Sequence, residues 1–332
     1  MARGGGGGRK PPRGGKAAGR PTRARPERGR TGTGHPGKSK SGAPASRSKS
    51  AARPVARPAV RPGAAKGIRG VDRARTAYTT DHGIGGSQIE GRQAVRELLI
   101  AQKRRVLEIW VSDDLEDNQV IDDIVDLASA QRVPLRRVKR KDIDRDARSE
   151  APQGVLAKAE PIAEFDLAEL LRDTKSPQFY VAVDGVTDPG NLGAILRCCD
   201  GAGVTGVILP RHRAVHITPT AAKSAAGAAE YVPMCVVGGL PTALKQMRDS
   251  GVWVIGLDDS ADRSIFEMGS LVRESVCIVL GAEGAGLSRL VRERCDMLVS
   301  IPMFGALSSL NVSVATALAT YEVVRSRRAP LR

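Results

Sequence analysis

Three polar side chains interrupt an apolar stretch near the end of the chain. Residues 305–319 read GALSSLNVSVATALA, in which Ser308, Ser309 and Asn311 precede small apolar residues. A serine ahead of an apolar helical run is an ordinary N-cap. An amide just inside such a helix needs hydrogen-bond partners, because burial without them is costly. We therefore expect Asn311 to be buried and to be bonded either by the core or by a ligand.

A second polar group follows the apolar segment 179–183. Residues 184–197 read DGVTDPGNLGAILR, so turn-forming residues lead to Asn191, which is a suitable N-cap. Arg197 follows six residues later in a helix whose other residues are small or apolar. Capping explains Asn191 alone, whereas a single arginine in an apolar setting requires an anionic partner.

A third group, GAEGAG at residues 281–286, follows the apolar segment 276–280 and precedes a helix near Leu287. Its glycines allow the backbone to approach a ligand closely. Glu283 adds a carboxylate that can accept hydrogen bonds or pair with a cation. The alternative is a tight turn with an exposed glutamate.

Two further glycine patterns do not predict nucleotide binding. Residues 32–39, GTGHPGKS, match a P-loop but have no strand before them and no helix after them. Residues 201–206, GAGVTG, match a dinucleotide fingerprint, but here a helix precedes the glycines and a strand follows them. These glycines therefore end a helix.

Alternating elements position the three polar groups. Strands are predicted at 179–183, 206–209, 232–237, 252–257, 276–280 and 298–301, and helices at 192–200, 218–229, 241–249, 287–294 and 310–327. This order predicts an α/β domain with a parallel sheet, in which ligands bind at the carboxyl ends of strands. The loops after Val183, Leu257, Leu280 and Ile301 are then the candidates for a site.

A smaller alternating unit precedes this domain. Its predicted elements are helices at 94–102 and 118–132 and strands at 106–112, 134–139 and 154–159. The run RRVKRK at 136–141 is either a solvated face or an RNA contact. The predicted organisation is a tail at 1–85, a small α/β domain at 86–160, a linker at 161–177 with a short helix at 167–172, and the larger domain at 178–332.

The positive charge of the chain is concentrated in its tail. Residues 1–75 contain 21 Lys and Arg against two acids, whereas the rest of the chain has a net charge of −3. The tail is rich in Gly, Pro, Ser and Arg, which predicts disorder. It is either a basic arm for nucleic-acid phosphates or a solubilising extension. No secretory or membrane-spanning segment is recognisable, so we expect a soluble, cytoplasmic protein.

Cysteine and histidine spacing argues against a metal site. The five cysteines contain no C-x-x-C pair, which favours reduced structural thiols. His212 and His216 lie four residues apart in a loop without a nearby carboxylate. We therefore expect no metal cofactor.

Taken in order, the polar groups resemble the three motifs of the SpoU family of RNA ribose 2′-O-methyltransferases, in the SPOUT superfamily. The motifs correspond to residues 191–197, 281–284 and 301–313, and the resemblance spans about 178–328. Residues 220–230 also resemble the family. Residues 87–160 resemble the small substrate-binding domain of the family's ribosomal RNA guanosine methyltransferases.

The resemblance implies a parallel sheet with a C-terminal trefoil knot, bound S-adenosyl-L-methionine, and a homodimer with active sites at the subunit interface. It implies largely backbone contacts to the cofactor from Gly281, Ile301 and Leu310. It also implies a set of catalytic and RNA-binding polar residues: Asn191, Arg197, Glu283, Ser309 and Asn311.

The implied function is 2′-O-methylation of a ribose, that of a guanosine, in 23S ribosomal RNA. A transfer RNA 2′-O-methyltransferase is the alternative within the same chemistry, and a non-catalytic RNA-binding assembly factor is a different class. Arginine normally keeps its proton in proteins. We therefore expect Arg197 to bind an RNA phosphate and to stabilise a developing alkoxide. We expect Glu283 to hold Arg197 or an RNA group, and the two asparagines to position ribose and cofactor.

Overall fold

Two β-sheets organise the chain. The computed structural model describes residues 84–116, 118–172, 176–212 and 216–328. The predicted tail, apart from its last two residues, and the P-loop-like segment 32–39 lie outside these residues. All described residues belong to one compact unit.

The first sheet has four strands in the order β1-β4-β2-β3. β4 runs antiparallel to both β1 and β2, and β3 runs parallel to β2. Two helices pack on one face of this sheet, where Leu98, Ile109 and Ile124 are fully buried. The elements are β1 (Gln88–Glu90), α1 (Arg92–Ala101), β2 (Val106–Ser112), α2 (Gln119–Ala130), β3 (Leu135–Val138), α3 (Arg140–Asp146) and β4 (Val155–Ala159).

Two elements of this part of the chain, the strand β1 and the helix α3, are not predicted by the sequence. β1 has three residues, too few for an alternating pattern to show. α3 reads RKDIDRD and carries one apolar residue, Ile143, which is fully buried. Tertiary packing of that single side chain outweighs the weak helical pattern of the segment.

The second sheet has six parallel strands in the order β10-β8-β9-β5-β6-β7, which confirms the predicted α/β architecture. The strands are β5 (Phe179–Val183), β6 (Gly206–Pro210), β7 (Met234–Val237), β8 (Trp253–Leu257), β9 (Val276–Leu280) and β10 (Met297–Val299). The helices are α4 (Leu167–Leu170), α5 (Pro189–Gly201), α6 (Pro219–Ala225), α7 (Leu240–Asp249), α8 (Arg289–Arg292) and α9 (Val312–Arg328).

Helices cover both faces of the six-stranded sheet. Buried side chains of α5, α6 and α9 form the core on one face. Residues of α4, α7 and α8 form the core on the other face. Strands buried on both sides account for the continuous apolar runs in the sequence. Among the described residues, no helix combines the length and apolar character needed to cross a membrane.

The starts of two helices differ from the predictions. α5 begins at Pro189 because the Asp188 carboxylate accepts a hydrogen bond from the Asn191 N–H at 2.6 Å, so Asp188 is the N-cap. α9 begins at Val312, and the carbonyl of Asn311 accepts the bond from the Ala315 N–H. The assignments of Asn191 and Ser309 as N-caps are therefore wrong.

Two predicted helices are shorter in the structure. The segment predicted at 218–229 is divided after α6, because Ala226 and Gly227 have φ values of 49° and 95°. A 3-10 turn, Ala228–Glu230, follows them. The helix predicted at 287–294 is reduced to the four residues of α8.

A buried ion pair joins the part of the chain that bears the small sheet to the part that bears the large one. The Arg104 guanidinium makes two contacts with the Glu230 carboxylate, at 2.5 and 2.9 Å, and both side chains are about 7% exposed or less. Arg104 also donates to the carbonyls of Gly86 and Glu160. The Tyr231 hydroxyl donates to Glu97 at 2.8 Å, and burial raises the pKa of Tyr231. These bonds fix the two sheets relative to each other.

Candidate active site

A cleft of about 380 Å³ opens at the carboxyl ends of the parallel strands. The loops that follow β8, β9 and β10 line it, with residues drawn from the segments 257–260, 280–287 and 301–310. Three of the four loops that the sequence singled out therefore meet here. The fourth, after β5, reaches the cleft wall through Asp184, whose carboxylate accepts a bond from the Ser288 N–H at 2.7 Å.

The glycine-rich wall of the cleft is a closed loop. Ala282 and Gly286 exchange two backbone hydrogen bonds of 3.0 and 2.9 Å. A Cβ atom at Gly281 would lie 2.3 Å from the carbonyl carbon of Gly286, so only glycine fits there. Gly284 at the tip has φ 75°, which glycine adopts without strain. The segment is thus the tight turn that the sequence allowed as an alternative, and it also lines the cleft.

The floor of the cleft contains a charged group that the sequence analysis missed. Asp258, directly after β8, is buried, and its carboxylate accepts bonds from the Ser260 N–H and hydroxyl at 3.0 and 2.6 Å. The Arg292 guanidinium lies 3.0 Å from the other carboxylate oxygen. Asp184 and Asp258 share one sequence signal, a carboxylate immediately after a buried strand, and that signal could have identified both.

Four polar side chains form a hydrogen-bonded chain at the mouth of the cleft. The Ser313 hydroxyl and N–H donate to Asn311 Oδ1 at 2.5 and 2.9 Å. Asn311 Nδ2 donates to Asn191 Oδ1 at 2.9 Å, and Asn191 Nδ2 donates to the Glu283 carboxylate at 3.4 Å. Each amide accepts on one side and donates on the other. We call Ser313, Asn311, Asn191 and Glu283 the polar relay.

The polar relay corrects one expectation for Asn311. The side chain is exposed and lies just before α9, instead of being buried inside the helix. It nevertheless has the partners that the sequence analysis demanded, and they come from another motif segment. Ser313, which orients Asn311, was not among the predicted site residues. The sequence feature that could have identified it is its place two positions after an asparagine at the start of a helix.

Arg197 lies on α5, six residues beyond Asn191, and its side chain is exposed. The expectation of an apolar setting is therefore wrong, and exposure removes the cost of leaving the charge unpaired. No ion pair or hydrogen bond within the described ranges involves its guanidinium. Glu283 faces Asn191, so the expected contact between Glu283 and Arg197 is not formed.

Most of the predicted site residues meet at this cleft. Gly281, Ile301 and Leu310, the predicted cofactor residues, line it together with Glu283 and Ser309. Asn191 and Asn311 reach its mouth through the polar relay. Arg197 stands apart on the exposed side of α5. The arrangement offers an open cleft for a small ligand and a polar rim for a larger one.

Comparison with known proteins finds two family models on this chain. The model of the SpoU rRNA Methylase family matches residues 178–321. The model described as RNA 2′-O ribose methyltransferase substrate binding matches residues 88–165. Together they cover both sheets.

Relatives and solved structures agree with these models. The 23S rRNA (guanosine-2′-O-)-methyltransferase RlmB of Shewanella oneidensis is 42% identical over 72% of this chain and 97% of the relative. RlmB of Escherichia coli is 38% identical over 72% of this chain and 98% of the relative. The crystal structure of the SpoU methyltransferase AviRb from Streptomyces viridochromogenes, in complex with AdoMet, aligns with a TM-score of 0.61 at 27% identity. That alignment covers 72% of this chain and 89% of AviRb.

Proposed function

Because the chain belongs to the SpoU rRNA methylase family, we propose that it transfers a methyl group from S-adenosyl-L-methionine to the ribose 2′-oxygen of a guanosine in 23S ribosomal RNA. The observation that carries the proposal is the meeting of three motif segments, far apart in the sequence, around one cleft. RlmB enzymes align with 72% of this chain along almost their full length, which favours the ribosomal substrate.

The cleft fits the cofactor. Its volume of about 380 Å³ lies within the usual range of about 300–1,000 Å³ for small-molecule sites. Gly281, Ile301 and Leu310 would hold S-adenosyl-L-methionine, largely through their backbone groups. The proposal includes the trefoil knot of the family, formed where the segments after β9 and β10 pass around the cleft.

S-adenosyl-L-methionine supplies a methyl group that its sulfonium already activates. The chain's own residues then have two tasks, which are to align the ribose and to assist loss of the 2′-hydroxyl proton. The hydrogen bonds of the polar relay fix the orientation of the Asn191 and Asn311 amides, and Glu283 accepts the last of these bonds. These groups, with the Ser309 hydroxyl beside them, position the ribose.

Arg197 acts on the charge that develops at the ribose. Its guanidinium is exposed and uses none of its donors on the described protein, so all five N–H groups are available for a phosphate. Once Arg197 is bound to an RNA phosphate near the ribose, its positive charge lowers the free energy of the alkoxide. Arg197 thus binds and stabilises without giving up its own proton.

The proposal includes a homodimer. Val314, Leu318 and Tyr321 repeat along one side of α9 and are 48%, 44% and 50% exposed. Phe304 and Leu307, in the loop before α9, are 96% and 74% exposed. Adjacent exposed apolar side chains of this kind support an interface with a second copy. Leu318→Glu should give a monomer in sedimentation analysis, and an unchanged dimer would refute this interface.

The domain roles follow from the same proposal. Residues 86–160 bind the RNA substrate, residues 178–332 carry out the transfer, and residues 161–177 connect them. The basic tail, residues 1–85, adds affinity for phosphates that does not depend on sequence. A ribosomal RNA substrate places the protein in the cytoplasm.

The test combines a transfer assay with mapping in cells. Purified protein, radiolabelled S-adenosyl-L-methionine and either 23S ribosomal RNA or total transfer RNA should give label in the ribosomal RNA alone. Ribose-methylation mapping should then show one guanosine that loses its 2′-O-methyl group in cells without this protein. Label in transfer RNA would overturn the substrate, and absence of label in both RNAs despite cofactor binding would overturn the activity.

A further inference from the structure

An exposed strip of positive charge lies along the outermost strand of the four-stranded sheet. Arg136 and Arg137 lie on β3, and Lys139 and Lys141 follow at the start of α3. All four side chains are exposed. We call these four residues the basic edge. The sequence alone is compatible with a solvated face or an RNA contact for this run.

Four acids near the basic edge pair with other cations, and Asp113, whose backbone N–H donates to the Val138 carbonyl, also lies beside it. On α3, Arg140 lies 3.5 Å from Asp144, and Arg145 lies within 3.4 Å of both Asp142 and Asp146. On the neighbouring strand, Glu108 accepts a hydrogen bond of 2.8 Å from Lys158, and this bond lowers the pKa of Glu108.

In the described part of the chain, no ion pair or hydrogen bond includes a side chain of the basic edge. Arg137, Lys139 and Lys141 therefore keep their charge available to a partner, whereas Arg136 also interacts electrostatically with Glu108 and helps to lower its pKa.

The basic edge lies on the far side of the small sheet from the large one. β1, the opposite edge strand, is adjacent to the large-sheet part of the chain, because the Gly86 N–H donates to the Ile217 carbonyl and the Ile217 N–H donates to the Ile84 carbonyl. With the order β1-β4-β2-β3, three strand spacings separate β3 from β1, or about 14 Å. A ligand on the basic edge is thus remote from the part of the chain that bears the transfer cleft.

We propose that the basic edge binds backbone phosphates of the RNA substrate, at a point remote from the nucleotide that is methylated. This inference rests on the proposed function and adds a second, separate anchor to it. Arginine and lysine without protein partners suit phosphate oxygens. An edge strand is open along one side, so an RNA backbone can follow it without displacing structure. Phosphate contacts fix the register and orientation of the RNA on the protein but do not recognise its sequence.

The main alternative is that these charges only protect an edge strand. Lysine and arginine on such strands prevent pairing with another chain, and this purpose requires no ligand. The two accounts differ in the dependence of RNA binding on salt, because each phosphate contact releases counterions.

The experiment compares two full-length triple variants with equal loss of charge. R136Q/R137Q/K139Q removes three cations of the basic edge, and R172Q/K245Q/R294Q removes three exposed cations elsewhere. Both variants retain the tail, so its contribution cancels. Binding to protein-free 23S ribosomal RNA is measured across a range of KCl concentrations, and methyl transfer is measured at saturating RNA.

For the basic-edge variant, we expect the slope of log K against log salt to fall by about 2, given about 0.7 per phosphate on single strands. The KM for RNA should rise about tenfold at 0.1 M salt, and kcat should stay within twofold. The control variant should match the wild type. Equal slopes for both triple variants would overturn the inference and leave strand protection as the role of these charges.

The readouts separate this inference from the proposed function. If the wild-type chain binds the RNA with the expected salt slope but transfers no methyl group, the proposed function fails while the anchor stands. If the wild type methylates the RNA and the basic-edge variant does so with unchanged KM and slope, the anchor fails alone. Self-association of the basic-edge variant, measured by light scattering, would add direct support for strand protection.

Discussion

The contact between the two sheets and the mouth of the transfer cleft are both polar, yet they are built in opposite ways. At the contact, Arg104 and Glu230 are almost fully buried and bond to each other and to backbone carbonyls. At the mouth, Asn311 and Glu283 are exposed and each is linked to Asn191 by one hydrogen bond. The buried groups have little capacity left for a ligand, because Arg104 uses four of its five N–H donors, whereas the exposed groups keep most of theirs.

The difference separates stability from activity. A buried ion pair is expensive to break because the partner left behind is a charge without water. Removing an exposed hydrogen-bonded side chain costs little free energy of unfolding, since water replaces the lost hydrogen bonds. Variants at the contact should therefore lower the free energy of unfolding, and variants at the mouth should lower the rate of transfer.

The largest effect is expected for Arg104→Leu. The substitution leaves Glu230 buried and unpaired and removes the bonds to two carbonyls, so we expect a loss of about 3–5 kcal/mol in the free energy of unfolding. Denaturant titration measures it. Arg96→Leu is the matched control, because its pair with Asp123 is about 30% exposed and should contribute only about 0–1 kcal/mol.

A double variant tests whether the loss of stability comes from leaving the Glu230 carboxylate buried without a partner. Replacing Arg104 and Glu230 together by Met and Leu removes the pair without leaving a charge behind. Its stability should lie above that of Arg104→Leu. If Arg104→Leu destabilises no more than Arg96→Leu, the contact does not have the energetic role that its burial indicates.

Arg197→Ala should have the next largest effect, on the other side of the division. An exposed side chain without protein partners contributes little to folding, so the melting temperature should change little. Loss of one group that stabilises a developing oxyanion costs about a hundredfold to a thousandfold in kcat. Affinity for S-adenosyl-L-methionine should fall only modestly. Transfer at a near-normal rate would exclude Arg197 from the reaction.

Gly281→Ala tests the wall of the cleft. The added methyl group would meet the Gly286 backbone at 2.3 Å, so the loop must shift, and we expect at least about a tenfold loss of cofactor affinity by calorimetry. Gly238→Ala is the control, because a Cβ atom there meets nothing within 4 Å. Unchanged cofactor affinity in Gly281→Ala would separate the loop from the cofactor site.

The sequence predicted those parts of the molecule that depend on local pattern. The six apolar runs became the six strands because a strand buried on both faces requires such a run. The segments that line the cleft could be named because parallel strands present their carboxyl ends at one edge. β1 could not be predicted because three residues are too few to show an alternating pattern. α3 could not be predicted because one apolar residue in seven gives no helical periodicity.

The geometry of the site could be predicted only in part. Asn311 was correctly identified as needing partners, but its exposure depends on where α9 begins, and the bond from Ala315 decides that. Asn191 was predicted to be the N-cap because asparagine is a common capping residue. Asp188, three residues earlier, offers the same chemistry and is the N-cap in the structure. No local pattern could indicate that Asn311 bonds to Asn191, 120 residues away.

Ser313→Ala should have the smallest effect and gives the sharpest test of the polar relay. The Ser313 hydroxyl donates to Asn311 Oδ1, which turns the amide so that Nδ2 faces Asn191. The Ser313 N–H still bonds the same oxygen in the variant. The loss in kcat should therefore be that of one exposed hydrogen bond, about threefold to tenfold, with KM and melting temperature little changed.

Ser313→Thr separates the hydroxyl from the side chain that carries it. Threonine keeps a donor at the same position and is tolerated in the first turn of a helix. It should therefore restore most of the rate that Ser313→Ala loses. If both variants transfer methyl groups equally slowly, the hydroxyl does not orient Asn311. The polar relay would then begin at Asn311, held by the Ser313 backbone alone.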